Sequence, residues 1–324
     1  MVLKEIAISD IDEQCDEFRI SDDIDSDRLT DSLRAVGQLN PVILLERLPR
    51  GARPVIVCGF RRIAALRRLG VQVAVARTLT VEDCSITHPL KLALCDNLAH
   101  RKLSPLEQAR AVVKLSDICG VAREQLIGEY LPLLGLPPRE NALEACFALH
   151  AAHPELKRLF AEDALTLASM ERLSNLFEDE QKRFADLMSV IRLSASLQKK
   201  TLDLFDDLAG MNRANFAAPL DIPDIREFLR DAKLSSFQKG EKLHETLYRL
   251  RNPRVARAEA DFATQRKRLG LPGAIRVTPP PFFETAELHV EFEASSPEKF
   301  RELAAALQKA ADSPGLEGLF PNRP

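Results

Sequence analysis

Two adjacent arginines, Arg61 and Arg62, follow a glycine in the segment CGFRRIAALRRLG, residues 58–70. The preceding run PVIVC is typical of a buried strand, and RIAALRRL has apolar residues at helical spacing, so the pair falls in the first turn of a helix. Free backbone N–H groups concentrate positive potential there, and guanidinium groups bind phosphate oxygens two at a time. Gly59 removes a side chain that would block the backbone. The pattern predicts a phosphate site.

The same helix also carries an apolar stripe, so arginines on it can simply face water. Solvated surface arginines therefore remain the alternative for the first pair. For the second pair, Arg67 and Arg68, a surface position is the expectation.

Composition limits the class of protein. The chain has 324 residues, of which 45% are hydrophobic and 29% charged, so two or three soluble globular domains are expected. With no Trp and two Tyr, the core must be aliphatic, and base stacking on aromatic rings is not expected. The chain shows neither an 18-residue apolar span nor a signal peptide, which predicts a cytoplasmic protein with no membrane partner.

The cysteines and histidines do not predict a metal site. None of the six cysteines forms a C-x-x-C pair, which fits reduced and mostly buried thiols. His150 and His153 have helical spacing, but neither a carboxylate nor a cysteine nearby completes a zinc site.

The net charge of −3 argues against a generic nucleic-acid binder, but the charge is unevenly distributed. Residues 1–31 carry eleven acidic and three basic side chains, whereas residues 32–95 carry ten basic and three acidic ones. The basic block contains the first arginine pair. A solvated surface with acidic and basic patches that balance each other would give the same counts of charged residues.

Hydrophobic periodicity predicts an α+β fold. Strands are expected at 3–8, 41–46, 54–58 and 71–76, with helices at 26–37 and 61–69. From Thr87, the expected N-cap of the next helix, to about residue 269 the pattern is helical. Ser104 and Glu107 predict a capping box, and 121–152 predicts a helix-turn-helix.

The C-terminal part predicts strand, strand and helix, with Ser296 as the helix cap. The predicted domains are a mixed N-terminal unit (1–98), an all-α middle with the helix-turn-helix (99–235), and a helical linker with a C-terminal ββα unit (236–324).

Three segments in this order, AVGQLNPV, GFRRIAALRRLG and DNLAHRKLSPLEQA, resemble the N-terminal domain of the ParB family of partition proteins. That domain is shared with sulfiredoxin-like proteins and some small kinases. The family patterns are GERRxxA for the second segment and ENIQRxDLxPxEEA for the third. A helix-turn-helix and a ββα dimerisation domain follow in the family, as the pattern of this chain also predicts.

The resemblance implies a site for CTP and Mg²⁺. It would be formed by the matching positions, namely Gln38, Gly59, Phe60, Arg61, Arg62, Asn97 and His100. Asp96 and Asn97 match the pair that supplies oxygen ligands to magnesium, a hard ion that prefers such ligands. An Asp-Asn pair that only caps a helix end is the alternative.

The chain departs from the family pattern at two positions of this site. Phe60 replaces the Glu of GERR, and His100 replaces the Arg of ENIQR, with Arg101 one residue later. Histidine is only partly charged at neutral pH, so it binds phosphate less reliably than arginine does. Nucleotide binding is still expected, and the enzymatic activity that the resemblance implies is at most a slow hydrolysis of CTP. Cys58 precedes Gly59 and is expected in the core, which argues against sulfiredoxin activity.

Residues Arg139 and Asn141 begin the second helix of the predicted helix-turn-helix and have the side-chain types that read base edges. Glu140 and Glu144 lie beside them, and basic residues are sparse, although phosphate contacts dominate DNA affinity. A helical hairpin used only for packing stays open as the alternative.

The resemblance implies a dimeric, CTP-responsive DNA clamp in chromosome or plasmid partition or in transcription control. Its partners would be DNA, a second copy bound through 236–324, and a partition ATPase, although MVLKEIAISDIDEQ is acidic where the family has a basic ATPase-stimulating tail. One alternative is a nucleotide-dependent kinase or phosphotransferase with Glu46 or Asp96 as its carboxylate. The other is a degenerate adaptor that binds no nucleotide.

Overall fold

The chain folds into two compact units, Met1–Ser189 and Val190–Pro324. The structure, a computed structural model, describes residues 2–21, 27–47, 52–80, 87–280, 283 and 287–320. Both strands and helices are present, so the α+β class is confirmed. The predicted division into three domains stays a prediction.

A four-stranded sheet forms the centre of the N-terminal part. Its strands are β1 (Val2–Ala7), β2 (Val42–Glu46), β3 (Val55–Cys58) and β4 (Val73–Thr80), in the spatial order β1-β4-β2-β3. Strand β4 is antiparallel to β1 and parallel to β2, and β2 is antiparallel to β3. All four strands were predicted, and β4 continues four residues beyond its predicted end.

Two helices, α1 (Asp27–Val36) and α2 (Phe60–Arg68), pack on this sheet. Ile63 and Leu66 of α2 lie in one buried cluster with Val42 and Ile56 of the sheet. This packing fixes the first turn of α2 at the end of β3, where the first arginine pair lies.

The rest of the first unit is helical. Its helices are α3 (Thr87–His100), α4 (Pro105–Asp117), α5 (Arg123–Gln125), α6 (Leu131–Leu133), α7 (Glu140–Ala151), α8 (Pro154–Ala161), α9 (Leu167–Ser174) and α10 (Glu178–Val190). The capping box at the start of α4 is confirmed: Ser104 Oγ accepts from the Glu107 N–H, and the Glu107 carboxylate accepts from the Ser104 N–H. The predicted cap role of Thr87 concerns a side chain outside the described part of the structure.

A π-helical turn, Leu126–Tyr130, joins α5 to α6. The Leu131 N–H donates to the Leu126 carbonyl, five residues back, and Pro132, next along the chain, has no N–H to donate. Helix α7 follows after a short turn, so the predicted succession of helix, turn and helix is present.

The second unit contains α11 (Ala195–Asn212), α12 (Pro223–Arg230), α13 (Ser236–Arg251), α14 (Pro253–Arg268), β5 (Ile275–Thr278), β6 (His289–Phe292) and α15 (Pro297–Ala311). Strands β5 and β6 pair antiparallel, and Ser296 caps α15 as predicted. Phe262, Ile275, Val277 and Leu303 form the core of this ββα segment with α14. No helix in the described ranges is long and apolar enough to span a bilayer.

Candidate functional site

The turn between β3 and α2 depends on a glycine. Gly59 has a φ of 102° and is the N-cap of α2, with no side-chain cap. A Cβ at this position would lie 2.8 Å from Val42 Cγ1, and Val42 is completely buried in β2. Only glycine therefore fits without strain, and the first turn of α2 is held close to the sheet.

A cavity of about 220 Å³ opens beside this turn, between the end of β3, the start of α2, the end of α3 and the segment 18–21. It brings seven of the predicted site residues together, namely Gly59, Phe60, Arg61, Arg62, Asp96, Asn97 and His100. The arginine pair and the Asp-Asn pair, 34 residues apart in the sequence, thus face a common space.

The two arginines of the pair have different surroundings. The Arg62 guanidinium donates to the carbonyls of Asn40, at 3.1 Å, and Pro41, at 2.5 Å, and lies 3.6 Å from the Asp96 carboxylate. Arg61 Nε is buried and has no hydrogen-bond partner among the described residues. A buried N–H without a partner costs free energy unless a ligand satisfies it. Arg61 is therefore the arginine best placed to receive an anion.

Oxygen ligands for a cation are present at the end of α3. The Asp96 carboxylate faces the cavity, and the amide oxygen of Asn97 accepts from Ser21 Oγ and Arg101 Nη2. The Asp96 carboxylate is a ligand of the kind that Mg²⁺ prefers, together with phosphate oxygens and water. Both acceptor positions of the Asn97 oxygen are taken by these two donors, so Asn97 would have to release them before it could bind a metal. The described residues contain no cluster of three or more His, Cys, Asp or Glu that could hold a metal ion unaided.

Arg101, which lies one residue after the family position, lines the cavity together with His100. The His100 side chain is 71% exposed and lies 3.8 Å from Asp96. Arg101 pairs with both carboxylate oxygens of Glu107, at 2.6 and 2.9 Å, and donates to Ser21 Oγ at 2.8 Å. The site therefore contains a fixed guanidinium that the family pattern did not assign.

The segment 18–21 supplies further lining residues that the sequence did not predict, Phe18, Ile20 and Ser21. The Lys114 ammonium of α4 donates to the carbonyls of Asp16 and Glu17, and Arg110 donates to the Ile20 carbonyl at 3.2 Å. These long-range contacts, which no local pattern encodes, hold the segment beside the cavity.

Gln38 does not reach the cavity. Its Nε2 donates to the Val75 carbonyl at 2.7 Å, and its Oε1 accepts from the Val75 N–H at 2.8 Å. The Gln38 amide thus makes the two hydrogen bonds to the β4 backbone that a neighbouring strand would make. Strand β2 begins to pair with β4 shortly after it, at Val42 and Ala76. A nucleotide contact by Gln38 stays a prediction, while the structure gives this side chain a local role.

Cys58 is buried beside the cavity, and Glu46 lies away from it. Cys58 is 2% exposed, and burial, to which the Asp96 carboxylate adds, raises the pKa of its thiol to about 12. The thiol is therefore protonated at neutral pH and unreactive. Glu46 pairs with Lys4 and is not among the cavity-lining residues, so Asp96 is the nearer carboxylate to the arginines.

Comparison with known proteins finds chromosome-partitioning proteins among the relatives of this chain. No family model matches the chain. It is 35% identical over 127 residues to the chromosome-partitioning protein Spo0J of Thermus thermophilus, a match that covers 36% of this chain and 44% of that protein. It is 26% identical over 244 residues to the chromosome-partitioning protein ParB of Myxococcus xanthus, covering 72% and 73%. These matches support a place for the chain in the ParB family.

Coverage differs among the ParB relatives. A probable chromosome-partitioning protein ParB of Mycobacterium leprae is 34% identical over 141 residues, which is 41% of each chain. The match to this protein and to Spo0J thus spans less than half of their length.

Solved ParB structures are also similar. A C-terminally truncated ParB from Caulobacter crescentus, complexed with CTP-gamma-S, aligns over 58% of this chain and 99% of that one, with 17% identity and a TM-score of 0.27. The Pnob8-like ParB-N domain aligns over 62% and 88%, with 15% identity and a TM-score of 0.35.

The two residues predicted to contact DNA from the helix-turn-helix pattern lie at the start of α7 and are not among the cavity-lining residues. Arg139 is the N-cap of α7, and Arg139 and Asn141 are both exposed. Their acidic neighbours, Glu140 and Glu144, both pair with the Arg123 guanidinium, which comes from the preceding helix of the hairpin. The negative charge beside the two polar side chains is thus partly compensated within the hairpin.

Proposed function

We propose that this ParB-family chain is a CTP-responsive DNA-binding protein of chromosome or plasmid partition, or of transcription control. The observation that supports this most directly is the cavity that the arginine pair shares with Asp96 and Asn97. The names of the relatives, chromosome-partitioning proteins, support the partition process in this proposal.

In this proposal Arg61 binds the triphosphate, because its buried Nε has no partner among the described residues. Gly59 lets the phosphates approach the free N–H groups at the start of α2. Arg62 positions Asp96, which would supply a carboxylate oxygen to Mg²⁺, and Asn97 would join it once its oxygen is released from Ser21 and Arg101. The chemistry that Mg²⁺ would supply is neutralisation of phosphate charge. Slow hydrolysis of CTP would reset the DNA-bound state.

We assign DNA contact to the exposed start of α7. Arg139 and Asn141 have the donor and acceptor groups that recognise guanine and adenine in the major groove. A dimer would place two such helices on one DNA duplex, so that the binding free energies of two weak half-sites add. A partition ATPase is the protein partner that the family resemblance implies.

The C-terminal ββα segment is our proposed dimer contact. Val290 of β6 is 45% exposed and Phe300 of α15 is 55% exposed, and the Phe300 ring lies 5.6 Å from that of Phe292. Sedimentation of Phe300→Asp should show monomers, whereas Phe237→Asp, at an exposed site elsewhere in the second unit, should sediment as the wild type does. An unchanged mass for Phe300→Asp would rule this contact out.

The central test is a thermal-shift screen with CTP, ATP and GTP in the presence of Mg²⁺. A ligand that binds only the folded chain raises its melting temperature, and we expect this from CTP alone. Arg61→Ala should lose the shift, and Arg68→Ala, a surface arginine of the same helix paired with Asp27, should keep it. Equal shifts in wild type and Arg61→Ala would refute the assigned pocket, and no shift with any nucleotide would favour the adaptor function.

A phosphotransferase remains the second candidate, because Asp96 lies at the same cavity as the arginines. It predicts transfer of the γ-phosphoryl group of a nucleotide to a small acceptor, lost in Asp96→Asn. The DNA-binding function predicts instead that nucleotide changes how long the protein stays on DNA under salt.

A further inference from the structure

Arg101 connects three separate segments beside the proposed nucleotide cavity. Its Nη2 donates to Ser21 Oγ at 2.8 Å and to the Asn97 amide oxygen at 3.1 Å. Its two terminal nitrogens also contact the two carboxylate oxygens of Glu107, at 2.6 and 2.9 Å. The Arg101 side chain is 27% exposed and that of Glu107 is 7% exposed, so water competes little for this ion pair. The guanidinium therefore has a fixed position at the end of α3.

The Asn97 side chain is held in the orientation that turns its oxygen toward Arg101. Its Nδ2 donates to the Ala93 carbonyl at 2.8 Å, one turn back in α3. Its oxygen accepts from Arg101 at 3.1 Å and from Ser21 at 3.3 Å, which occupies both acceptor positions of an amide oxygen. A flipped amide would lose the bonds to Ala93 and Arg101, because it would set donor against donor and acceptor against acceptor.

Asp96, the neighbouring candidate ligand, is more accessible. Its carboxylate lines the cavity and lies 3.6 Å from Arg62 and 3.8 Å from His100, both distances longer than a hydrogen bond. A cation that arrives with a nucleotide can therefore reach Asp96 without displacing a close donor. It can reach the Asn97 oxygen only in exchange for the guanidinium of Arg101, which is itself a cation.

We propose that Arg101 is a positioning residue that closes the Asn97 oxygen to a cation until nucleotide and metal together displace it. This inference rests on the proposed nucleotide function and deepens it, because Arg101 then sets the Mg²⁺ concentration at which the nucleotide binds. Arg101 is not assigned as a phosphate ligand, since both terminal nitrogens of its guanidinium already have partners.

The test must remove Arg101 without leaving a buried carboxylate unpaired. The double variant Arg101→Met with Glu107→Gln meets this condition, because a glutamine at the third helical position can still accept from the Ser104 N–H. Glu107→Gln alone is the matched control, since it leaves the contacts of Arg101 with Asn97 and Ser21 in place.

The first measurement is calorimetric titration with CTP at a series of Mg²⁺ concentrations. Compared with Glu107→Gln, the double variant should need about tenfold less Mg²⁺ for half-maximal CTP affinity, because no charged donor has to leave the Asn97 oxygen. Adding Asn97→Ala to the double variant should abolish this gain. A purely structural role for Arg101 predicts instead that the double variant binds CTP more weakly at every Mg²⁺ concentration.

The outcomes separate this inference from the proposed function. If the wild-type chain binds CTP but the double variant and Glu107→Gln need the same Mg²⁺ concentration, the inference is wrong and the proposed function stands. If the wild-type chain binds no CTP at any Mg²⁺ concentration, the proposed function fails and the inference fails with it.

A second measurement, urea unfolding without nucleotide, tests the contact itself. Asn97→Ala should raise the unfolding equilibrium constant about tenfold more in the Glu107→Gln chain than in the double variant, because only the former also loses a hydrogen bond from Arg101. Equal effects of Asn97→Ala in the two backgrounds would show that the two side chains are not coupled, and would overturn the inference whatever the nucleotide does.

Discussion

Arg62 and Asp96 join the start of α2 to the end of α3, with 3.6 Å between Nη2 of the guanidinium and Oδ2 of the carboxylate. The same guanidinium donates to the carbonyls of Asn40 and Pro41, which lead into β2. Arg62 thus connects the two helix ends that line the proposed nucleotide cavity to the segment that enters β2, whereas Arg61 has a buried Nε with no such partner among the described residues. Mutation of Arg62 should therefore mainly lower the stability of the chain, whereas mutation of Arg61 should mainly remove nucleotide binding.

We predict that Arg62→Ala lowers the free energy of unfolding by about 2 kcal/mol, because part-buried carbonyls and Asp96 lose their partner. Arg61→Ala should change it by less than about 0.5 kcal/mol, while removing the CTP-dependent thermal shift. Urea unfolding of both variants without nucleotide measures the difference. An equal loss of stability in the two variants would contradict this division of roles.

Gly59→Ala should destabilise the chain by about 3 kcal/mol, since the new Cβ would lie 2.8 Å from Val42 Cγ1 at a φ of +102°. Gly70→Ala is the matched control, because Gly70 also has a positive φ, +74°, but no atom lies within 4 Å of its Cβ position. It should cost only about 1 kcal/mol. Thermal unfolding of the two variants compares them, and equal losses would mean that contact with β2 is unimportant.

Local signals in the sequence were enough for the strand-turn-helix at Gly59, the capping box at Ser104 and the ββα segment. Each depends on residues within a few positions of one another, as periodicity and caps do. The contact of Arg101 with Ser21 joins residues 80 apart, and that of Gln38 with Val75 joins residues 37 apart. Such contacts exist only once the sheet and α3 are packed, so residue types and spacing could not reveal them.

The buried Cys58 thiol predicts an alkaline loss of stability. Its pKa is about 12 in the folded chain, above the reference value of 9.0, so its contribution is complete below pH 9 and is lost as the pH rises toward 12. Cys58→Ala should remove that part of the pH dependence. At pH 8 iodoacetamide should modify the exposed Cys95 and leave Cys58 intact, as read by mass spectrometry. Rapid modification of Cys58 in the native chain would contradict its burial.

Arg139→Ala tests the proposed DNA contact at the start of α7. The duplex is one that the wild-type chain selects from a randomised library, and binding is measured by fluorescence anisotropy. Loss of a bidentate base contact costs about 2 kcal/mol, so affinity should fall about thirtyfold and sequence preference should relax at one base pair.

Lys182→Ala, which removes one exposed positive charge from α10, is the control for charge alone and should change affinity less than threefold. A uniform weakening across sequences by Arg139→Ala, with a salt slope reduced by about one, would instead assign Arg139 to the phosphate backbone. If Arg139→Ala and Asn141→Ala both bind the selected duplex as the wild type does, α7 is not the recognition helix, and the hairpin serves only for packing.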